Sequence, residues 1–335
     1  MSYGHQAAAW CHLKEWRTTM SEAIAQDSNS PPAIVIRDLR HTYSNGHQAL
    51  SGVNLTCGTG VYGLLGPNGA GKSSLMRILC TLQAPSSGEV TVCGVNINED
   101  RLAVRANLGY LPQEFGAWRL HKVREVVDTL AQLSGMHDKK VRKERVAEVL
   151  EQVGLTQVAH RKVKKLSGGM LRRVGVAQAL VHAPKIIVVD EPTVGLDPEE
   201  RIRFRQLMAE LGRDRTILLS THIVADLGAA CQEIALLDSG DIIFQGSPSS
   251  LVASAVGQVF QVTASELQVD DIETNYDIVS TTVSGSSVVL RGVAGDQGLP
   301  EGAEVVDQPT LEEGYMAFMA LRGRSAAARQ DEEEE

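Results

Sequence analysis

Gly66-Pro67-Asn68-Gly69-Ala70-Gly71-Lys72-Ser73 fits the phosphate-loop pattern G-x-x-x-x-G-K-[ST] without a mismatch. Its flanks agree with that reading. Val61-Tyr62-Gly63-Leu64-Leu65 reads as a buried strand running into the loop, and Leu75, Ile78, Leu79 and Leu82 recur at i, i+3, i+4 and i+7, as on an amphipathic helix. Glycines let the main chain wrap phosphates, while backbone N–H groups and the helix N-terminus supply positive potential. Lys72 is expected to reach the β- and γ-phosphates and the Ser73 hydroxyl to ligate Mg2+. A chance glycine-rich turn would lack the flanking strand and helix.

A second run, Ile186-Ile187-Val188-Val189, is apolar on both faces, as a central parallel strand should be, and it ends in Asp190-Glu191. Asp190 is placed to hold Mg2+, directly or through water. Glu191 is placed to orient and deprotonate a water for attack on the γ-phosphate. Without the phosphate loop, the same pair would read as surface carboxylates at a strand-to-turn junction. Between loop and strand lies Leu166-Ser167-Gly168-Gly169-Met170. Ser167 suits an N-cap, and Met170, Val174, Ala177 and Val181 mark one face of a helix that stops before Pro184. A helix start with two glycines can approach a phosphate closely. It cannot reach the phosphate of its own loop if that loop's helix already occupies the site. A second copy is therefore expected to complete the site, head to tail, with two shared sites.

Over roughly residues 32 to 250 the chain resembles the nucleotide-binding subunits of the ATP-binding cassette family. The resemblance implies an α/β fold: a P-loop NTPase core with an antiparallel β subdomain and a helical subdomain. It implies that Gly66, Pro67, Asn68, Gly69, Ala70, Gly71, Lys72, Ser73 and Ser74 bind ATP, with Mg2+ held by Ser73, Gln113 and Asp190. Tyr43 falls where the family has an aromatic that stacks on adenine. Gln113, in Tyr110-Leu111-Pro112-Gln113-Glu114, matches the glutamine that contacts Mg2+ and senses the γ-phosphate. Ser167, Gly168 and Gly169 match the motif that caps the opposite subunit's ATP. Asp197, in Gly195-Leu196-Asp197-Pro198, lies in the loop that crosses the dimer interface, and His222 matches a histidine that contacts the γ-phosphate. The implied catalytic set is Glu191, His222, Gln113 and Lys72. One departure is Met170, where many members have glutamine; its side chain is expected to pack rather than bind ATP.

Composition sets bounds. The 335 residues allow one large and one small domain, and 43% hydrophobic content is ordinary for a globular chain. No apolar run approaches the ~18 residues needed to span a bilayer, and the N-terminus shows no secretory pattern. Cys11, Cys57, Cys80, Cys93 and Cys231 are odd in number and form no C-x-x-C pair, so they read as reduced cytosolic thiols filling the core. A net charge of −9 argues against nonspecific nucleic-acid binding.

Four regions follow. Residues 1–31 form an N-terminal extension and linker, in which Trp10, Leu13, Trp16, Met20 and Ile24 can share a helix face, either packed on the protein or lying on a membrane surface. Residues 32–250 form the ATPase domain, with helices expected at Val123–Leu133 and Val141–Val153 and a hairpin turning at Ser239-Gly240-Asp241. Phe115 and Trp118 read either as core residues or as a surface for a membrane partner, and the basic run Arg161–Lys165 as a solvated face. Residues 251–322 read as a small α/β domain: strands at Val256–Thr263 and Ile278–Val283, a turn into Val288-Val289-Leu290, and a capping box at Thr310–Glu313. That box opens a helix with Leu311, Tyr315, Phe318 and Met319 on one face. This region resembles the appendage on ATPase subunits of a bacterial exporter branch whose membrane partners are separate chains. Residues 323–335 end in the acidic tail Asp331–Glu335, read as solvated disorder.

The implied function is ATP binding and hydrolysis that powers export of a solute through a separate membrane permease, by a homodimer on the cytoplasmic face of the membrane. The alternative is a soluble non-transport ATPase of the same family, such as a cluster-assembly type. A guanine-nucleotide switch would need an Asn-Lys-x-Asp base reader, which the sequence lacks. A chain cut after Pro248 is expected still to bind ATP, unless the appendage covers apolar ATPase surface, in which case it should aggregate.

Overall fold

The apolar runs sort into two large buried clusters that meet across one sheet. The computed structural model describes residues 33–323, apart from 115, 117, 229, 286, 296 and 297. The Trp10–Ile24 segment, Cys11, Phe115 and the acidic tail lie outside the described residues. Strands β1 (Ile34–Thr42), β2 (Gln48–Cys57) and β3 (Gly60–Leu65) lead into helix α1 (Lys72–Leu79). Then come β4 (Ser87–Val92), β5 (Val95–Asn96), α2 (Arg101–Asn107), β6 (Leu108–Leu111), α3 (Val123–Leu133), α4 (Lys139–Gln152) and α5 (Gly168–Leu180). β7 (Ile186–Asp190), α6 (Pro198–Leu211), β8 (Thr216–Thr221), β9 (Glu233–Asp238) and β10 (Asp241–Gly246) follow. The remainder is α7 (Pro248–Ser254), β11 (Val259–Ala264), α8 (Glu266–Asn275), β12 (Asp277–Ser284), β13 (Ser287–Val293), β14 (Glu304–Val305) and α9 (Leu311–Ala320).

The six-stranded sheet has the order β10-β9-β3-β8-β7-β6. All neighbours are parallel except the edge hairpin β9–β10. That hairpin turns through Ser239 (φ 49°) and Gly240 (φ 79°), the two positive-φ residues that a two-residue turn matched to strand twist requires. Ile186 to Val189 are each 0% exposed, as a strand covered on both faces must be. Register decides where chemistry can occur: Leu65 pairs with Thr221 and Asp190 with Ser220. The chain therefore leaves β3, β7 and β8 at one edge, delivering the phosphate loop, Glu191 and His222 to the same place.

A second sheet, β2-β1-β4-β5, is antiparallel. Its buried Ile34, Leu50 and Val90 pack with Leu75, Ile78 and Leu79 of α1, so the phosphate-loop helix is wedged between two sheets. Leu82 corrects the sequence expectation, being 61% exposed and outside the helix. Thr81 takes φ 56°, the Thr81 N–H donates to the Ile78 carbonyl, and the Leu82 N–H donates to the Arg77 carbonyl. That bond pair is a left-handed helix stop, which turns Leu82 away from the buried stripe. Helices α3 and α4 form as expected and bury Val126, Val127, Val149 and Leu150. Trp118 is 45% exposed, which removes the core reading for it. Arg161, Lys162, Lys164 and Lys165 are exposed around buried Val163, so the basic run is solvated. Among the described residues Cys57, Cys80 and Cys231 are buried and Cys93 half-buried, and all are free thiols.

The C-terminal sheet has the order β12-β13-β11-β14. β11 begins three residues later than its apolar run suggested, because Gly257 (φ 83°) turns the chain first and leaves Val256 59% exposed. Thr310 and Glu313 form the expected capping box on α9, and Arg291 pairs with buried Glu313 at 2.8 Å. α9 serves two cores. Its Ala317 and Ala320 pack with Ala255, Val259 and Val293. Leu311, Tyr315 and Phe318 instead pack against the cluster that holds Leu251, Phe244 and Val224. The Phe244 and Phe318 rings meet edge to face, 5.5 Å apart. Gly314 lets α9 approach α7 closely, since a Cβ there would meet the Val252 Cα at 3.1 Å. These contacts favour the covering role weighed above. A chain cut after Pro248 loses Leu251 and all of α9, and its expected behaviour is a lower unfolding temperature and aggregation from exposed Phe244 and Val224. Light scattering during thermal unfolding checks it; a monodisperse truncation as stable as the full chain would show that the covering is dispensable.

Candidate functional site

The phosphate loop is shaped by close backbone approach. A Cβ on Gly66 would lie 2.2 Å from the Leu237 carbonyl oxygen, and one on Gly71 would lie 2.4 Å from that of Ala49. Gly71 also has φ 107°, which a side chain rarely tolerates, at the N-cap of α1. Lys72 is 6% exposed, and its Nζ donates to the Gly66 carbonyl (2.6 Å) and the Pro67 carbonyl (2.9 Å). Burial lowers the Lys72 pKa from its ordinary value, and the charges of Glu191 and Asp190 oppose that shift.

The acidic pair divides its work by orientation. Asp190 is buried, and its Oδ1 accepts the Ser220 hydroxyl at 2.5 Å. Glu191 takes φ 46°, so the chain breaks sharply from the strand there, and the residue is 5% exposed. Its N–H is held by Ser220, to the carbonyl at 3.2 Å and to Oγ at 3.1 Å. Glu191 Oε2 is 2.8 Å from His222 Nδ1, and Oε1 is 3.6 Å from Lys72 Nζ. One carboxylate thus sits between a lysine and a histidine.

These groups open into one cavity of about 300 Å3. Of the expected site residues, Tyr43, Pro67, Asn68, Gly69, Gly71, Lys72, Ser73, Ser74, Gln113, Glu191 and His222 line it. Gly66, Ala70 and Asp190 do not; Ala70 and Asp190 are buried. Ser167, Gly168, Gly169 and Asp197 do not line it either. The Tyr43 hydroxyl is 2.8 Å from Ser74 Oγ, and that bond lowers its pKa. Its ring stands edge to face with His41 and nearly parallel to His47, centroids 6.3 Å apart. His47, Ala49 and Val194 line the cavity without having been anticipated. His47 arrives through the turn joining β1 and β2, where the Tyr43 N–H donates to the His47 carbonyl. The parallel ring four residues from Tyr43 was the available signal.

The Ser-Gly-Gly segment folds as read. Ser167 caps α5, its Oγ accepting the Met170 N–H at 3.2 Å, and Met170 packs against the core. Ser167 and Gly168 are exposed. Gly169 is buried under Glu200, whose Oε2 a Cβ would meet at 2.1 Å, and Arg173 pairs with Glu200 at 3.2 Å. Asp197 caps α6 by accepting the Glu200 N–H at 2.9 Å, with Pro198 in the first turn.

The family model described as "ABC transporter" matches residues 50–194. The chain is 36% identical over 203 residues to an uncharacterized ABC transporter ATP-binding protein of Bacillus subtilis, covering 61% of this chain and 67% of that one. It is 35% identical over 238 residues to the Nod factor export ATP-binding protein I of Cupriavidus metallidurans, covering 70% and 78%. A probable multidrug ABC transporter ATP-binding protein of Escherichia coli is 37% identical over 204 residues, 61% of this chain but only 35% of that protein. Among solved structures, cbiO1 of Clostridium perfringens, part of an ABC transporter complex, matches with TM-score 0.61 at 28% identity, over 67% of this chain and 92% of that one. A dimeric ATP-binding cassette in a post-hydrolysis state, bound to ADP and phosphate, matches with TM-score 0.57 at 28% identity, over 64% and 98%. The fold is that of a cassette ATPase. The chain belongs to the ATP-binding cassette transporter family and is an ATPase subunit of that family.

Proposed function

We propose that this chain hydrolyses ATP with Mg2+ in a head-to-tail dimer to power export of a solute through a separate membrane permease. The observation that carries the catalytic part is the convergence of Lys72, Glu191 and His222 on one cavity floored by the phosphate loop. In this reading Lys72 leaves its loop carbonyls to neutralise phosphate oxygens. Glu191 accepts the proton of the water whose oxygen attacks the γ-phosphorus as the bond to ADP breaks, and His222 orients that carboxylate. Ser73 and Gln113 face the cavity, and buried Asp190 stands at the strand end beneath it. No cluster of three or more His, Cys, Asp or Glu groups capable of holding a metal occurs among the described residues. This sparse oxygen set suits Mg2+, which takes few protein ligands beside substrate phosphates and supplies charge neutralisation there. EDTA is expected to abolish turnover and added Mg2+ to restore it.

The dimer is supported by the exposed cap at Ser167 and Gly168, which lies outside the chain's own cavity. Export is supported by the relative from Cupriavidus metallidurans, whose name carries Nod factor export. No helix among the described residues is long and apolar enough to cross a membrane, so the pathway would belong to another chain at the cytoplasmic face. The test is purification of the full-length chain from detergent extract, identification of what accompanies it, and ATP turnover after reconstitution of the two. A membrane protein that raises turnover supports export. Recovery of soluble partners alone, with turnover indifferent to membrane proteins, sinks it.

A further inference from the structure

Asp226 is 3% exposed and does not line the cavity. It closes the short 3-10 turn Val224–Asp226, which begins two residues after His222. Its Oδ2 accepts the Thr193 hydroxyl at 2.5 Å. Thr193 is itself 1% exposed, lies two residues after Glu191, and opens the turn that its carbonyl closes with the Leu196 N–H at 3.1 Å. The turn after β8 is held on its other sides too. Arg205 of α6 donates to the Ala225 carbonyl at 2.5 Å, and α9 lies against the turn from outside. Ser220 already ties the Glu191 N–H to β8 just before His222. The His222–Glu191 contact is therefore bracketed by two cross-links between the same two chain segments, Ser220 to Glu191 on one side and Asp226 to Thr193 on the other.

A buried hydroxyl–carboxylate pair is a costly way to fill space, since two apolar side chains of like volume would pack as well. What it adds is geometry: a directional bond that fixes one turn against another. We propose that Asp226 is a positioning residue for ATP hydrolysis, setting the His222–Glu191 distance by clamping the turn after His222 to the turn after Glu191 through Thr193. The inference rests on the reading of Glu191 as the proton acceptor.

The test is ATP turnover by the full-length chain carrying Thr193→Val, which removes the hydroxyl and keeps the shape, beside Thr193→Ser, which restores it. Thr193→Val is expected to lower kcat about tenfold with KM for ATP within about twofold, because the phosphate loop is untouched, and Thr193→Ser to recover most of the loss. If thermal unfolding shows that Thr193→Val does not fold, Thr193→Ala carries the same test without placing a methyl group against the Asp226 carboxylate. The decisive readout is coupling. In a His222→Ala background, Thr193→Val should cost less than about twofold more, because the contact it serves is already gone. A wild-type kcat in Thr193→Val, a rise in KM at unchanged kcat, or a full tenfold further loss in the His222→Ala background overturns the clamp. Glu191→Gln is the control that separates the two ideas. A dead Glu191→Gln with a fully active Thr193→Val removes the clamp alone, whereas an active Glu191→Gln removes the underlying reading and the clamp with it.

Discussion

Glu191→Gln is expected to bind ATP about as well as the unaltered chain and to turn it over about 10²-fold or more slowly, the usual scale of a lost general base. Glutamine keeps the length and shape of the side chain, so the backbone turn at φ 46° and the N–H bonds to Ser220 can persist. What disappears is an oxygen able to take a proton while held 2.8 Å from His222 Nδ1. The substitution also removes one of the two carboxylates that oppose the burial-driven fall in the Lys72 pKa. ATP affinity measured beside turnover separates these effects: a loss confined to kcat marks the proton acceptor, and weakened binding marks Lys72. In the dimer reading the variant should also stay closed on ATP, since hydrolysis is what reopens the pair. Size-exclusion chromatography with and without ATP reads this. Near-normal turnover would reject Glu191 as the base.

The parts that sequence made legible are those whose signal is local. The phosphate loop, the apolar strand into Asp190 and the Ser167 cap each declare themselves within about a dozen residues, and the structure forms all three. Leu82 failed because helical periodicity continues past a stop written only in the conformation of Thr81, an unusual residue for a left-handed position. His47, Ala49 and Val194 escaped notice because no motif marks them: they neighbour Tyr43 and Glu191 in the chain, and the β1–β2 hairpin and the loop after β7 turn them into the cavity. For α9 the apolar face was evident in Leu311, Tyr315 and Phe318, but a stripe cannot say what it will cover. The Asp226–Thr193 bond joins residues 33 apart and had no pattern to announce it.

Lys72→Ala and Ser167→Arg are each expected to inactivate the chain for different reasons, and together to rescue one another. Lys72→Ala removes the buried ammonium 3.6 Å from Glu191, and the loss of charge-assisted contact with phosphate should weaken ATP binding by about tenfold to a hundredfold. Ser167→Arg acts at an exposed helix start outside the chain's own cavity, where a lost cap costs about 1 kcal/mol, so single-chain ATP binding should survive. The new side chain instead stands where a partner's phosphate would approach, blocking closure and turnover. In a head-to-tail dimer each site takes its loop from one copy and its Ser-Gly-Gly cap from the other. A mixed pair then has one site carrying both defects and one carrying neither. Equal mixing should restore about a quarter of the wild-type turnover, since half of the dimers are mixed and each has one intact interface. Differently tagged chains show whether mixed dimers form. If they form and stay inactive, either the caps do not cross between copies or the two sites cannot fire singly. A tandem fusion with one wild-type half and one Lys72→Ala half decides between these, because an active fusion leaves only the first.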